Sequence, residues 1–306
     1  MFPKTTPLTY RQLRVALLAN AAFSFLSGLL FVAFASAIAH RVGDAISPVL
    51  IGAVGILLVP FGGLTAWVGT RRHPPTWIAL LISLSDLAWV VASAVVIAVW
   101  RERLTFEGVV LLSAIALAVS GFAAGQLRGI TRVYRVAGAN ADRVRVCIEI
   151  QTAGDPDFIW RNLSDLGNIA QFAPMLSKSL LHGKGAVAVG AVRECVDRAG
   201  REWRERCVRF EPAKRELEME FLADRPGFPY PFAALRGGWE VHPAAAGITV
   251  KIWWEGTLKY PQLTAVIPPL LAWQVRRQFS DVVRRMAGHK VEGPPSAAPR
   301  LRVVPC

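Results

Sequence analysis

Charge is missing from most of the first 127 residues. Residues 15–39, 45–70 and 108–127 contain no Asp, Glu, Lys or Arg, and 74–99 contains Asp86 alone. That absence excludes ordinary amphipathic surface helices, which need a polar face. Each run is long enough to cross a bilayer as a helix. Acidic residues are scarce throughout, with 22 Asp and Glu against 35 Lys and Arg and a net charge of +13. The excess is spread along the chain and clusters where the apolar runs end, which points to anionic lipid headgroups and away from nucleic acid. Cysteine is limited to Cys147, Cys195, Cys207 and Cys306, without CxxC spacing. Buried thiols are expected ahead of disulfides or a metal site. The five histidines are scattered with no metal-ligand spacing. No HExxH, GxSxG, P-loop or dinucleotide-binding glycine pattern occurs in a suitable context. No catalytic residue, cofactor or metal is therefore assigned, and whether the chain is an enzyme stays open.

What is present divides the chain in two. Residues 1–127 form a four-span region, with spans at about 15–39, 48–69, 76–99 and 108–127. The first run is 25 residues long and three similar ones follow it, so it is expected to be a retained span and not a cleaved signal. A basic linker over 128–143 leads to the second half. Lys4, Arg11, Arg14, Arg71, Arg72, Arg128, Arg132 and Arg135 flank one side of the spans, against Arg41, Arg101 and Arg103 on the other. The positive-inside tendency then places both termini and the soluble domain in the cytoplasm. High Ala, Gly, Arg and Pro content fits a bacterial protein from a GC-rich genome, and with the four spans a multi-pass place in the bacterial cell membrane is expected. Gly28, Gly52, Gly55, Gly62 and Gly63 suit close helix packing. A carboxylate facing lipid would cost roughly several kcal/mol, so Asp86 is expected to face the bundle interior, protonated or paired, with Asn20 as a partner. Packing is favoured over transport, because no basic residue within the spans completes a pathway.

After Arg128 the pattern is that of a soluble α+β domain. Val144, Val146, Ile148 and Ile150 alternate with polar residues, as in a half-buried strand. Gly154-Asp155-Pro156 turns the chain, and Asp155 or Asp157 caps a helix carrying Ile159, Trp160 and Leu163. A second helical piece runs from Leu166 to Phe172. Strands are predicted at 176–182, 186–196, 202–210, 214–222, 234–242 and 248–259. A long amphipathic helix follows from about Leu263 to Met286, and a Pro- and Ala-rich tail over 288–306 is expected to be disordered.

The segment Ile159-Trp160-Arg161-Asn162-Leu163-Ser164-Asp165-Leu166, continuing to Phe172-Ala173-Pro174, resembles the early helix pair of the START-like, or polyketide cyclase/dehydratase (SRPBCC), superfamily. The order of elements over 144–287 is similar to that family's helix-grip fold, a curved antiparallel sheet around a long C-terminal helix. The resemblance implies an apolar pocket between sheet and helix. Its candidate ligand-binding walls are Trp160, Phe172, Leu217, Met219, Phe221, Trp239, Trp254 and Phe279, with the loop 226–232 as rim or lid. His242, near Glu240 and Arg236 on one strand, is the polar candidate for the pocket, although a solvated strand face explains it equally well. The leading expectation is a membrane-anchored module that binds a lipid or another hydrophobic small molecule beside an anionic membrane surface. A cyclase- or dehydratase-like enzyme and a regulatory or assembly domain for the bundle are the alternatives. Nothing in the sequence fixes an oligomeric state.

Overall fold

A computed structural model describes residues 10–43, 46–139, 143–183, 187–244, 247–288 and 302–306. The chain divides into two compact units, Met1–Val133 and Tyr134–Cys306.

The first unit is helical: α1 (Arg11–Ala33), α2 (Ala35–Val42), α3 (Pro48–Thr70), α4 (Thr76–Val99) and α5 (Phe106–Tyr134). Helices α1, α3, α4 and α5 are long and apolar enough to cross a membrane. The first apolar run is not one helix, because Phe34 leaves helical geometry (φ −119°, ψ 28°) and separates α1 from α2. Ser47 starts α3, its side chain accepting from the Val49 amide at 3.2 Å, and Pro48 follows at a position where its missing N–H costs nothing.

Close approach of α1 and α3 depends on missing side chains. A Cβ on Gly55 would lie 2.8 Å from the Gly28 carbonyl oxygen, and one on Gly28 would lie 2.9 Å from the Gly55 carbonyl oxygen. Gly62 is likewise pressed to 3.1 Å of the α1 backbone at Ala21 and Phe25. Gly63 instead faces open space, and Gly52 makes only ordinary contact at 3.9 Å. Three of the five glycines picked out by sequence thus form the seam that small residues create between membrane-type helices.

The second unit is an eight-stranded antiparallel sheet with helices packed on it, in the order β2-β3-β4-β5-β6-β7-β1-β8. Its strands are β1 (Arg143–Thr152), β2 (Leu176–His182), β3 (Val192–Asp197), β4 (Glu202–Glu211), β5 (Glu216–Phe221), β6 (Phe232–Ala244), β7 (Gly247–Leu258) and β8 (Arg302–Pro305). Helix α6 (Pro156–Ser164) is capped by Asp155, which accepts from the Asp157 amide at 3.0 Å. Asp157 is instead occupied by Arg215 at 2.7 Å. The predicted second helical piece shrinks to a 3-10 turn at Ile169–Gln171. The strand predicted over 186–196 begins only at Val192, after a turn at 189–190.

Helix α7 (Ile267–Met286) closes the fold. Its Val275, Val282, Val283 and Met286 join Ile148, Ile150, Val250 and Ile252 in one buried cluster. Pro268 and Pro269 sit in its first turn, where proline is tolerated. This is the helix-grip fold: an antiparallel sheet with a long C-terminal helix across it.

The C-terminus departs from the expected disordered tail. Residues 289–301 lie outside the described residues, but Arg302–Pro305 form β8 on the outer edge of β1, with Val304 opposite Glu149. Cys306 is disulfide-bonded to Cys147 across 159 residues. Two of the four expected buried thiols are therefore a crosslink, and only Cys195 and Cys207 are free and buried. A four-residue strand carries no periodic signal of its own. Its ladder is dictated by the open edge that it covers.

Substituting Gly55→Ala should lower bundle stability by about 1–3 kcal/mol through overpacking against the Gly28 carbonyl. Gly63→Ala on the same helix should cost nothing. Thermal unfolding of the two variants in lipid nanodiscs checks the contrast, and equal melting would remove the seam.

Candidate functional site

Period-two alternation aims one set of side chains from β5, β6 and β7 toward α7. Leu217, Met219 and Phe221 from β5, Leu235 and Trp239 from β6, and Trp254 from β7 line a cavity of about 360 Å³. Helix α7 supplies the facing wall with Leu271, Val275 and Phe279. The Phe279 ring meets Trp254 edge-on with centroids 4.9 Å apart, and Trp239 at 5.5 Å. Gly237 makes room for this aromatic floor, and Gly238 does the same for Trp253 on the opposite face. Gly237 pairs with Trp254 and Gly238 with Trp253. A Cβ on Gly237 would stand 3.2 Å from the Trp254 ring, and one on Gly238 only 2.5 Å from the Trp253 ring on the other face.

Six of the eight predicted wall residues come together on this cavity: Leu217, Met219, Phe221, Trp239, Trp254 and Phe279. Trp160 and Phe172 do not line it. Trp160 is buried in the core under α6, stacked on Phe210 at 5.7 Å, and Phe172 packs against that same core. Neighbours in the same segment, Leu163, Ile169 and Ala173, do reach the cavity, while the apolar surface of Trp160 and Phe172 is spent on core packing. His242 is also displaced from the site. Trp239 and Val241 point inward on β6, which puts Glu240 and His242 on the opposite face. There His242 lies 3.3 Å from Glu240, which Lys251 holds at 2.9 Å. The loop before β6 contributes wall instead of a detached rim: Tyr230, Pro231 and Phe232 all line the cavity. Gly227, at φ +83°, makes the left-handed turn that brings them there.

One end of the cavity is polar, and sequence reasoning missed it. Arg193 on β3 stands directly opposite Glu205 on β4, and the Arg193 guanidinium donates to the Glu205 carboxylate. The Trp203 indole N–H donates to the other Glu205 oxygen at 2.6 Å. Cys195 and Tyr230 complete this end, the Tyr230 ring lying edge-on to Trp203 at 5.5 Å. Burial works against the Arg193 charge, but the Glu205 carboxylate outweighs it and the guanidinium ends above its ordinary value. Burial pushes the Cys195 thiol up to about 12, so it is neutral and inert as a nucleophile. Burial, with Glu205 nearby, also raises the Tyr230 hydroxyl. The signal was available: Glu205 shares strand parity with Trp203 and Cys207, which places a charge on an otherwise apolar face.

The intramembrane polar candidates belong to the first unit. Asn20 Nδ2 donates to Asp86 Oδ2 at 2.8 Å, and Gln126 Nε2 donates to the same oxygen at 3.1 Å. Ser24 donates to Asn20 Oδ1 at 3.1 Å, and Ser83 to Gln126 Oε1 at 2.8 Å. This buried network ties α1, α4 and α5, and no basic side chain joins it among the described residues. Gln126 escaped notice because it lies in a run defined by its lack of charge.

Among the described residues, no three His, Cys, Asp or Glu side chains group as metal ligands. Residues 143–289 match the family model for polyketide cyclase / dehydrase and lipid transport. The match spans under half of the chain and lies within the second unit. Solved structures similar to the chain include norcoclaurine synthase from Thalictrum flavum, at 17% identity and a TM-score of 0.39, covering 50% of this chain and 97% of that one. The Zhui aromatase/cyclase from Streptomyces sp. R1128 has 19% identity and a TM-score of 0.36, covering 48% of this chain and 91% of that one. A Thermobifida fusca protein solved by NMR has 21% identity and a TM-score of 0.39, covering 50% of this chain and 99% of that one. No curated protein matches the chain.

Replacing Leu217 with Trp should fill the cavity and weaken binding of a neutral fluorescent probe such as N-phenyl-1-naphthylamine by about tenfold or more, at a stability cost of roughly 1–3 kcal/mol. His242→Ala should leave probe affinity unchanged. Fluorescence titration of both variants measures this, and loss of binding on replacing His242 would contradict its outward position.

Proposed function

We propose that the chain is a membrane-anchored binding protein for a lipid or another hydrophobic small molecule. The observation that carries this is the cavity of about 360 Å³ walled by aromatic and aliphatic side chains. Its size falls within the range of small-molecule sites. Removing a ligand's apolar surface from water contributes about 25 cal/mol per Å², and few polar side chains on the walls compete for that surface. The match of residues 143–289 to a family whose description names polyketide cyclase, dehydrase and lipid transport is consistent with this ligand class.

The four apolar helices of the first unit serve as the anchor. The anchor keeps the cavity near a bilayer, where hydrophobic ligands are concentrated. The arginines at the end of α5 and in α7 then meet anionic headgroups. The distribution of basic flanks favours a bacterial cell membrane with both termini and the binding domain in the cytoplasm. The Cys147–Cys306 disulfide weighs on the other side, since such bonds persist mainly in oxidising compartments. The charge flanks carry more weight, because they act on every span during insertion, whereas one disulfide in the cytosol is compatible with a redox-responsive role. A green fluorescent protein fused to the C-terminus should fluoresce in intact cells; a dark fusion, with activity from an equivalent alkaline phosphatase fusion, would reverse the orientation.

A cyclase-like reaction is the second reading, favoured by the buried Arg193–Glu205 pair on the cavity and by the family description. Any such chemistry would fall to Arg193, Glu205 and Tyr230, not to His242. Native mass spectrometry of gently purified full-length protein tests the leading proposal. A retained apolar molecule of defined mass, lost in the Leu217→Trp variant, is the expected result. Protein that is empty and takes up no hydrophobic probe would end it.

A further inference from the structure

The four cysteines fall into two groups that differ in access. Cys195 and Cys207 are 1% and 0% exposed, and burial raises both thiols. The crosslinked pair lies nearer the solvent. Cys147 shares the outward parity of Arg145 and Glu149 on β1, and both it and Cys306 are half-buried. A disulfide that a thiolate can reach is open to exchange, whereas buried thiols are inert. This disulfide also fastens a short element to a long one. β8 makes only four register pairs, between Arg302–Pro305 and Ile148–Gln151, at the short end of strand lengths. Val303 stands opposite Ile150 and packs on the core cluster that contains Val275 and Val282 of α7. Its carbonyl oxygen accepts from the Arg276 guanidinium at 2.7 Å. Arg276 lies in the part of α7 whose Leu271, Val275 and Phe279 wall the cavity. β8 thus straps that part of α7 to β1, and the Cys147–Cys306 bond locks the strap.

Resting on the binding function proposed above, we propose that Cys147–Cys306 is a thiol–disulfide exchange site through which a dithiol reductant governs how fast ligand enters and leaves the cavity. One thiolate of the dithiol bonds to Cys306 Sγ on the outermost strand, and the S–S bond breaks. Its electron pair goes to Cys147 Sγ, which takes up a proton. The second thiolate of the reductant then displaces Cys306 Sγ, which is protonated in turn. The protein gains two electrons and two protons, and the dithiol leaves as a disulfide. With the lock open, β8 leaves the edge of β1 and Arg276 loses its acceptor. The cavity-facing part of α7 then yields more readily, and lid motions of this kind set exchange rates. The other half of α7 keeps its hold, because Val283 and Met286 stay packed and Asn162 still donates to the Met286 carbonyl oxygen. Reduction therefore opens the fold locally without unfolding it.

Stopped-flow dissociation of N-phenyl-1-naphthylamine from the full-length protein in lipid nanodiscs tests this, with dithiothreitol as the dithiol and empty nanodiscs as the reference for partitioning. Protein purified without reductant should take up no maleimide, because Cys195 and Cys207 are buried, and should label at Cys147 and Cys306 after reduction. Reduction is expected to speed probe dissociation about tenfold, the effect of about one hydrogen bond to a charged group. Amide hydrogen exchange at Ile148–Gln151 should quicken with it. Cys306→Ser should release the probe fast with or without dithiothreitol. Arg276→Met, which keeps the crosslink, should release it faster than the oxidised parent and gain less from reduction. Reactive thiols before reduction, equal dissociation rates in the two redox states, or an unchanged response in Arg276→Met would overturn the inference while leaving probe binding intact. Reduction that abolishes binding by melting the domain would also overturn it and make the disulfide a structural crosslink alone. A probe that binds neither form would remove the inference together with the binding function.

Discussion

The second unit depends on how α7 meets the sheet. Toward its C-terminus the helix packs tightly, with Val282, Val283 and Met286 buried against Ile148, Ile150, Val250 and Ile252. Burial of each such side chain contributes roughly 1.5–3 kcal/mol. Asn162 of α6 fixes the end of the helix by donating to the Met286 carbonyl oxygen at 2.8 Å. Toward its N-terminus α7 meets something different. Phe279 rests on Trp239 and Trp254, and beyond these rings Leu271 and Ile267 face open volume. The same helix that completes the core thus acts as the lid of a cavity, and the aromatic trio marks where one role passes into the other.

That geometry explains which features were legible in the residues. The family resemblance implied the wall, and strand alternation agrees with it for Leu217, Met219 and Phe221 of β5, Trp239 of β6 and Trp254 of β7, while Phe279 comes from the apolar stripe of α7. Trp160 and Phe172 were misplaced because parity describes strands; a residue on a short helix can pack deep in the core, and only the tertiary fold says so. His242 was misplaced for the opposite reason. Parity excludes it, and its chemical interest outweighed the pattern. The Arg193–Glu205 pair went unseen because the strand expected at 186–196 started too early and lacked a register with its neighbour. The cross-strand register is what turns two separate charges into a pair.

Cysteine use illustrates a further limit. Spacing gave no reason to join Cys147 to Cys306, since the two are 159 residues apart and their encounter requires a strand too short to be recognised. Only the exposed edge of β1 creates the pairing. Edge strands left open invite association with other chains. β8 covers Ile148–Gln151 of β1 and becomes a much shorter edge strand itself, and Arg276 of α7 supports this cover by donating to the Val303 carbonyl oxygen at 2.7 Å.

The two units solve the problem of buried polarity in different ways. In the helical unit Asp86 is surrounded by amide donors from Asn20 and Gln126, and their oxygens are in turn satisfied by Ser24 and Ser83. The Asn20–Asp86, Gln126–Asp86 and Ser83–Gln126 bonds join helices and Ser24 orients Asn20 within α1, so the network works as interhelical glue. In the sheet unit the Arg193–Glu205 pair, with Trp203 on the second carboxylate oxygen, puts a net-neutral polar patch on the wall of the cavity. A polar network enclosed by helices specifies packing, whereas one on the wall of a cavity also presents polar groups to whatever enters it. The Asp86 network holds helices together, and the Arg193–Glu205 patch gives one end of an apolar cavity its polarity.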